Sequence, residues 1–538
     1  MKNRPKVTPN LIDRVVGVFS PASGLKRLHA RAQLMAATGG YNGGARDRRP
    51  TKRWRPPQGS ANADTLLDLG DLRARSRELA RNTPLATGAL ATVTTETIGA
   101  GLQLQACIDH EALGITPERA DEMEREQERE FALFCLSADF TRVQKFGPMQ
   151  VLAFRSKKES GDVLVIRRYR KDAGDVYGTK LQLLEADRLS NPNHAQDTDE
   201  ISGGVETNVD GVPVAYHISN RHPGAIRATA LIWEKIAART DEGLPVVLHQ
   251  FDRTRPELTR GVPFLAPVIE HLKQLGDYSD AEVTAAVISA MFTMVIETPN
   301  DEDGDGNPVI GEKDSSLEAN EVKLGNGAVI SLAPGEEVKT VNPARPNANF
   351  DPFWLAFCRQ IGVALELPFE LLIKHFTASY TASRAALELA RRTFLKERSF
   401  FGDDFCQEIY GWQMDEAVAL GRLARPGYFA DPVIRQAYLG AEWIGPRAAS
   451  LNPKQEAEAD AVDVDNGFKT IEQVCIERTG GEFEKKNDQR GKEVKMRKAV
   501  GAEKQPPSAF GAAQSAPTPD AEDDGSDEEE QQNRSAAQ

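Results

Sequence analysis

The segment from Asp301 to Glu312 has the residue types and spacing of a calcium-binding loop. It satisfies the pattern D-x-D-x-D-G-x5-E, in which carboxylate oxygens alternate around a tight turn that a glycine permits. Against calcium, Pro308 takes the position of the usual apolar anchor, and no helix pattern follows Glu312. We therefore predict a solvated acidic loop without a metal and keep calcium as the alternative. The candidate ligands are Asp301, Asp303, Asp305 and Glu312.

The motifs of common enzymes are incomplete or absent in this sequence. His110-Glu111 begins like a zinc-protease motif, but Gly114 stands where the second histidine ligand belongs. Neither the phosphate-binding pattern GxxxxGK[ST] nor the nucleophile pattern GxSxG occurs. We predict that the chain is not an enzyme, needs no cofactor and does not itself hydrolyse ATP. An unrecognised hydrolase is the alternative, but it has no assembled set of residues to support it.

Composition and charge are typical of a large, acidic, soluble protein. The chain has 538 residues, of which 40% are hydrophobic and 27% charged, with a net charge of −14, so several structural units are expected. This charge argues against a protein that coats nucleic acid but is compatible with one past which nucleic acid slides. The apolar run at residues 283–296 is too short to span a membrane. The five dispersed cysteines are expected to be free, buried thiols.

A leucine-rich pattern predicts a helix over residues 64–95. Either Asn62 or Asp64 can cap its start, and Pro84 is suited to begin a second helix at its first position. Arginines fall between the leucines, so we expect them on a solvated face of the helix. They are Arg73, Arg75, Arg77 and Arg81.

The centre of the chain is predicted to be mainly β-structure. Residues 150–260 contain short β-branched runs, with a hairpin signal at residues 209–212. Helical spacing returns after residue 384 and continues to about Leu420, with a bend expected near Gly402. The chain is therefore expected to mix helices with a β-rich centre.

The most apolar helix pattern lies at residues 279–297. Ser279 and Glu282 have the spacing of a capping box, and the apolar residues that follow are not confined to one stripe. A helix that is apolar on every side must be buried on every side, either in a core or among copies of itself. A polar insertion at 298–348 separates it from a second helix that starts at Asp351-Pro352. We therefore expect an antiparallel pair with a small head at its tip.

Residues 46–57 form the most basic segment of the chain, with six arginines and lysines around Trp54. One interpretation is a nucleic-acid arm in which the tryptophan stacks on bases. The other is a basic strap that lies over a neighbouring acidic surface. We favour the strap because the rest of the chain is acidic.

A set of short motifs extends in a fixed order over about residues 20–480. Ser379-Tyr380-Thr381-Ala382-Ser383-Arg384 comes late in the set. The earlier motifs are Tyr41 to Trp54, Ser60-Ala61-Asn62-Ala63-Asp64, Leu72 to Pro84, Gly99-Ala100-Gly101-Leu102, Leu184 to Leu189, Gly204-Val205-Glu206, Ala215-Tyr216-His217-Ile218, His222-Pro223-Gly224 and Arg260-Gly261-Val262-Pro263. Together they resemble the lambda-type tailed-bacteriophage portal family, in which a Tyr-Ser-Ser-Arg-like segment stands at the position of residues 379–384.

The resemblance implies an α+β portal-type fold with a wing, a helical stem, an α/β clip and a helical crown. It also implies assembly as a cyclic ring, usually of twelve subunits, with a central channel. The regions implied for this sequence are an N-terminal arm with the basic segment (1–60), the wing (61–278), stem helices (279–297 and 349–368), the clip (298–348), the channel loop and long wing helix (369–420), the crown region (421–500) and a disordered acidic tail (501–538).

The function implied is that of a portal, through which a separate terminase packages double-stranded DNA and from which the DNA is later ejected. The implied location is a capsid vertex of the virion, after assembly in the host cytoplasm. The implied partners are copies of the same chain, the terminase large subunit, head-completion or adaptor proteins, major capsid and scaffold proteins, and the DNA, with no membrane. A calcium-binding protein, or a scaffold or adaptor without a DNA channel, is the alternative.

The resemblance also implies a channel loop at about residues 373–383. A helix-capping turn rich in Ser and Thr is the other interpretation of this segment. The candidates to face DNA are Lys374, His375, Phe376, Ser379 and Tyr380.

Overall fold

A computed structural model describes the chain over residues 16, 18–23, 25–27, 29–30, 49–51, 53–226, 230–291, 295–297, 337–339, 349–376, 379–447, 452–479 and 483–500. Over this part of the chain helices and strands are mixed, which confirms the α+β class. The predicted calcium loop and the tail at 501–538 lie outside the described residues. The clip at 298–348 does too, apart from residues 337–339.

Helices predominate on both sides of a β-rich centre. The helices are α1 (Ala61–Asn82), α2 (Pro84–Thr97), α3 (His110–Leu113), α4 (Pro117–Cys135), α5 (Phe146–Ser160), α6 (Ile269–Met291), α7 (Phe350–Ala364), α8 (Phe369–Ile373), α9 (Tyr380–Phe401), α10 (Glu408–Ala419), α11 (Pro432–Tyr438), α12 (Pro453–Asp465), α13 (Ile471–Thr479) and α14 (Phe483–Ala499). The strands are β1 (Gln103–Ala106), β2 (Asp162–Tyr169), β3 (Thr179–Glu185), β4 (Ile201–Ser202), β5 (Val205–Thr207), β6 (Pro213–Ser219), β7 (Trp233–Ala237), β8 (Val247–Phe251), β9 (Val295–Glu297), β10 (Glu337–Lys339) and β11 (Ala441–Ile444).

The chain divides into two compact units. The first comprises Met1–Leu69 and Arg253–Thr259, and the second comprises Gly70–Asp252 and Arg260–Gln538. In the first unit, Ser60 caps α1 by accepting a hydrogen bond from Ala63 N. The predicted caps, Asn62 and Asp64, instead bind residues of the 253–259 segment. The capping prediction failed because these side chains have partners that are distant in sequence.

Pro84 begins α2 as predicted, so the pattern over residues 64–95 corresponds to two helices that meet at Thr83. The leucine pattern itself is only partly a core pattern. Leu79 is buried, whereas Leu67 is 89% exposed. Helical spacing therefore located these helices correctly but did not identify every residue of the buried face.

Antiparallel sheets form the β-rich centre. One sheet has the strand order β3-β2-β8 and another the order β4-β5-β6-β7. Leu164 and Ile166 of β2 share a buried cluster with Tyr216 and Ile218 of β6. The predicted hairpin joins β5 to β6, where Gly211 adopts a φ of 77° that favours glycine.

The apolar helix has different bounds from those predicted. It covers Ile269–Met291 instead of 279–297. Ser279 lies inside it and donates its Oγ hydrogen bond to Leu275 O at 2.9 Å, so the predicted capping box is wrong. The prediction missed the turns of α6 before residue 279. Polar residues there surround an apolar stripe in which Leu272 and Leu275 are buried.

The predicted antiparallel pairing of this helix with the next one is confirmed. The ring centroids of His271 and Phe357 lie 6.1 Å apart, and those of Tyr278 and Phe353 lie 4.8 Å apart. Residues later in α6 therefore contact residues earlier in α7, as expected for antiparallel helices. Beyond the pair, β9 and β10 form a short antiparallel ladder.

The long helical stretch is interrupted close to the predicted bend. Residues Gly402–Gln407 form a π-helical turn between α9 and α10. Aromatic side chains around this turn are buried: Phe401, Phe405 and Tyr410 have no exposed surface. The turn thus directs a continuous run of aromatic residues into the main core.

In the described part of the chain, no helix is both long and apolar enough to cross a membrane. All five cysteines are free, as predicted. The expectation that they are buried holds for Cys358 and Cys406 but is wrong for Cys107, which is exposed. Cys107 follows the edge strand β1, where the neighbouring side chains are polar.

Candidate functional site

A fully buried carboxylate, Asp162 at the start of β2, gathers charged side chains from three other segments. Its Oδ1 accepts from Arg73 Nη2 at 2.8 Å, and its Oδ2 accepts from Arg260 Nε at 2.6 Å. His249 Nε2 lies 3.1 Å from the same Oδ2. We call Arg73, Asp162, His249 and Arg260 the Asp162 cluster.

Arg260 of the cluster also forms hydrogen bonds with the surrounding loops. Arg260 is 2% exposed and donates to three carbonyl oxygens at 2.6–2.7 Å, those of Ala186, Leu189 and Gly203. Arg73 Nε similarly donates to Ser160 O at 2.9 Å. Buried charges are stable only when they are paired and hydrogen-bonded in this manner. The cluster is therefore suited to hold these segments together as a structural frame, and its burial leaves no room for a substrate.

The burial of Arg73 corrects the prediction of a solvated arginine face on α1. Arg73 is 5% exposed, while Arg75 and Arg81 are exposed as predicted. Arg77 is half-buried and pairs with Asp187. Periodicity could not reveal this because the carboxylate that draws Arg73 inward lies 89 residues away.

Three of the motifs that carry the family resemblance meet at this cluster. Arg73 belongs to the motif at 72–84, the carbonyls of Ala186 and Leu189 to that at 184–189, and Arg260 to that at 260–263. These three motifs therefore contribute to one structural frame. Nothing in the sequence marked Asp162 itself, which precedes an apolar strand without any motif.

Glycines allow the backbone to close around the cluster. Gly161 and Gly261 lie so close that a Cβ on either would collide with the carbonyl oxygen of the other. Gly161 also has a φ of 92°, which disfavours any other residue. Asp162 and Arg260, their chain neighbours, are brought into contact by this approach.

The cluster lowers the pKa values of Asp162, Arg73 and His249, which favours the charged form of the carboxyl group and the neutral form of the two bases. Burial alone would raise the pKa of Asp162, but Arg260 and Arg73 reverse this and hold it well below its usual range. Burial lowers the pKa of Arg73 to about 10 and also lowers the pKa of His249, despite the nearby carboxylate. At neutral pH Asp162 is therefore ionised, and neutral His249 can donate Nε2–H to it.

We expect mild acid to destabilise the fold through His249. Because its pKa is lower in the folded than in the unfolded state, the unfolded chain takes up the proton first as pH falls below about 6.5. Stability should then fall by up to about 1.4 kcal/mol per pH unit. Asp162, whose folded pKa is depressed, adds a further loss only below about pH 3.9.

Urea midpoints measured between pH 7.5 and 5 test this expectation. His249→Gln should flatten the decline, whereas His375→Gln, at an exposed position, should leave it unchanged. A decline that is equally steep in His249→Gln would show that another group is responsible.

The α6–α7 pair presents apolar side chains to solvent in the single chain. Val283 is 64% exposed and Val287 48%, and on α7 Phe353 is 42% and Val363 82% exposed. Large exposed apolar surfaces are uncommon on isolated soluble chains and are typical of binding surfaces. This face is suited to contact apolar surface on another chain.

The candidate channel residues lie around a turn between α8 and α9. Lys374 ends α8 with a φ of 55°, and Lys374, His375 and Phe376 are exposed. Ser379 caps α9 by accepting from Ala382 N at 3.4 Å. Tyr380 begins α9, and its side chain lies outside the described set. The segment is therefore a helix-capping turn in its geometry, and its contact with DNA stays a prediction.

Metal-binding geometry is not found in the part of the chain that the structure covers. Among those residues, no group of three or more His, Cys, Asp or Glu side chains is arranged to hold an ion. The candidate calcium ligands Asp301, Asp303, Asp305 and Glu312 lie outside it.

The sequence matches the model of a protein family over more than half of its length. The family model for the phage portal protein, lambda family, matches residues 47–398, nearly two thirds of the chain. The chain therefore belongs to the lambda family of phage portal proteins.

Known portal proteins are similar over almost the whole length. The chain is 25% identical over 508 residues to the portal protein of Escherichia phage N15, covering 90% of this chain and 94% of that one. It is 23% identical over 503 residues to portal protein B of Escherichia phage lambda, covering 89% and 93%. A subunit in the neck of a native gene transfer agent particle, solved with C12 symmetry, is 13% identical, with coverages of 76% and 92% and a TM-score of 0.40.

Family membership confirms the resemblance on which the sequence prediction rested. The chain is a portal protein, a structural component of the bacteriophage virion that takes part in genome packaging and in the head–tail connection.

Proposed function

We propose that the chain forms a closed ring of about twelve subunits at one capsid vertex, around a channel for double-stranded DNA. The observation that carries this proposal is the exposed apolar surface of the α6–α7 pair. In a ring, each pair contacts both neighbouring pairs, and cyclic closure covers the same surface on every subunit without leaving a free end. Covering one exposed valine contributes roughly 1–2 kcal/mol per subunit.

We assign the regions implied by the family to parts of this chain as follows. In this proposal α6 and α7 are the stem, residues 298–348 are the clip, and 421–500 form the crown region. The clip docks the terminase large subunit and later the head-completion proteins, and the outer regions contact capsid and scaffold proteins. The terminase supplies the ATPase, and the chain itself acts without catalysis.

Passage of DNA requires a channel that does not hold phosphates tightly. The net charge of −14 suits this requirement, because each strong phosphate contact adds to a salt-sensitive affinity that resists sliding. Exposed Lys374 and His375 at the turn before α9 supply two basic side chains per subunit. This is enough for weak, transient contact with the DNA backbone.

We expect Lys374→Glu with His375→Glu to impair packaging without preventing assembly. The two changes would place up to about two dozen negative charges around the channel, which repel the DNA. The yield of DNA-filled capsids in a packaging reaction with terminase should fall on the order of tenfold. Arg75→Glu with Arg81→Glu, two exposed positions on α1, serves as the control. Normal packaging by the variant with Lys374→Glu and His375→Glu would show that this segment does not lie in the channel.

A further inference from the structure

The basic arm is defined by Arg49, Arg53, Trp54 and Arg55. Arg49, Arg53 and Arg55 are exposed, and no ion pair joins any of them to a described residue. Trp54 between them is 71% exposed. Exposed guanidiniums around an exposed indole are an unusual surface for a protein of net charge −14, because arginine and tryptophan are the residues enriched where proteins bind one another.

The second unit carries a surface of opposite charge. It surrounds Cys107 and is built from α4, β11, α13 and α14. The carboxylates of Glu442, Glu124 and Glu472 lie near the Cys107 thiol. We call this surface the acidic patch, and its carboxylates are Asp121, Glu124, Glu128, Glu442, Glu472 and Glu484.

Two carboxylates of the acidic patch accept hydrogen bonds from donors that carry no charge. Glu124 accepts from Ile108 N at 2.7 Å and Glu472 accepts from Gln105 Nε2 at 2.7 Å, which are neutral donors. Arg125 pairs with Glu484 at 2.7 Å. Burial, together with the repulsion of Asp121, Glu128 and Glu484, raises the pKa of Glu124. The accumulated negative potential would be relieved by an added cation.

A metal ion does not fit this surface. The carboxylates are spread over four elements, and no set of three among the described residues is close enough to hold an ion. A segment with several guanidiniums fits better, because each guanidinium can bind a separate carboxylate with paired hydrogen bonds.

We infer that the basic arm of one copy of this chain lies on the acidic patch of a neighbouring copy. The inference rests on the proposed ring, which brings a second copy alongside each subunit. The arm thereby straps adjacent subunits together, with Trp54 packed at the contact and the three arginines paired with patch carboxylates. A nucleic acid is a poorer partner for the arm, because DNA near a chain of this charge is repelled.

Photo-crosslinking of the assembled full-length protein tests the inference. A benzophenone amino acid replaces Trp54 in protein of natural isotope content. Before assembly, this light protein is mixed with isotopically heavy protein that lacks benzophenone. Rings are verified by electron microscopy, irradiated with and without a 30-base-pair DNA duplex, and digested for mass spectrometry. The same label at Val209, which is fully exposed on the β5–β6 hairpin, is the control for non-specific capture.

The expected result is crosslinks from position 54 to heavy peptides that contain residues 117–135, 441–444 or 471–484. In the background Arg49→Gln, Arg53→Gln and Arg55→Gln, their yield should fall several-fold. Three outcomes would overturn the strap while leaving the proposed ring intact. In these, position 54 crosslinks to other heavy peptides, only to peptides of the light protein, or mainly to the duplex. Absence of rings at any protein concentration would overturn the ring and, with it, the strap.

Discussion

Replacing Asp162 with asparagine should lower the free energy of unfolding by about 3–5 kcal/mol. The substitution preserves the shape of the side chain but removes the charge that compensates Arg73 and Arg260, both buried. Two guanidiniums would then remain out of water without a carboxylate. The loss is therefore larger than the worth of one ion pair, since it includes the cost of burying unpaired charge.

Urea unfolding at fixed protein concentration, followed by tryptophan fluorescence, measures this loss. Asp71→Asn is the matched control, because Asp71 pairs with Arg75 on the exposed side of α1. Such surface pairs contribute about 0–1 kcal/mol. If Asp162→Asn proved as stable as Asp71→Asn, the cluster would not hold the frame.

The second large effect is expected at the exposed face of α6. Val283→Asp with Val287→Asp should leave the single chain folded, because both side chains are exposed there. In the ring, however, the two carboxylates would be buried against neighbouring subunits. We expect the protein concentration needed for assembly to rise at least about a hundredfold, which corresponds to about 2.7 kcal/mol.

Circular dichroism checks the fold of this variant, and mass photometry follows its assembly. Val209→Asp is the control, since Val209 is fully exposed but lies on the β5–β6 hairpin, away from the helix pair in sequence. Assembly at unchanged concentration by the α6 variant would show that this face is not the contact between subunits.

Features that depend on neighbouring residues could be predicted from the sequence. The hairpin at 209–212, the start of α2 at Pro84 and the interruption near Gly402 each follow from local backbone preferences, and each is present. The antiparallel helix pair was also predictable, because two apolar helices flank a polar insertion.

Features that depend on distant partners could not be predicted. Arg73 resembled a surface arginine until Asp162 was found beside it, and Asn62 and Asp64 resembled caps although they bind the 253–259 segment. Ser279 resembled a helix start because its spacing to Glu282 is favourable, yet burial of Leu272 and Leu275 extends α6 past it. In each case tertiary contacts outweighed a local signal of about 1 kcal/mol.

The central claim is that this portal protein assembles as a ring, and the mass of the purified full-length chain tests it most directly. Native mass spectrometry, paired with electron micrographs, should give a closed ring of about twelve copies of the 58.9 kDa subunit. An adaptor without a channel would give another stoichiometry. A chain that stays monomeric or dimeric at high concentration would contradict the account.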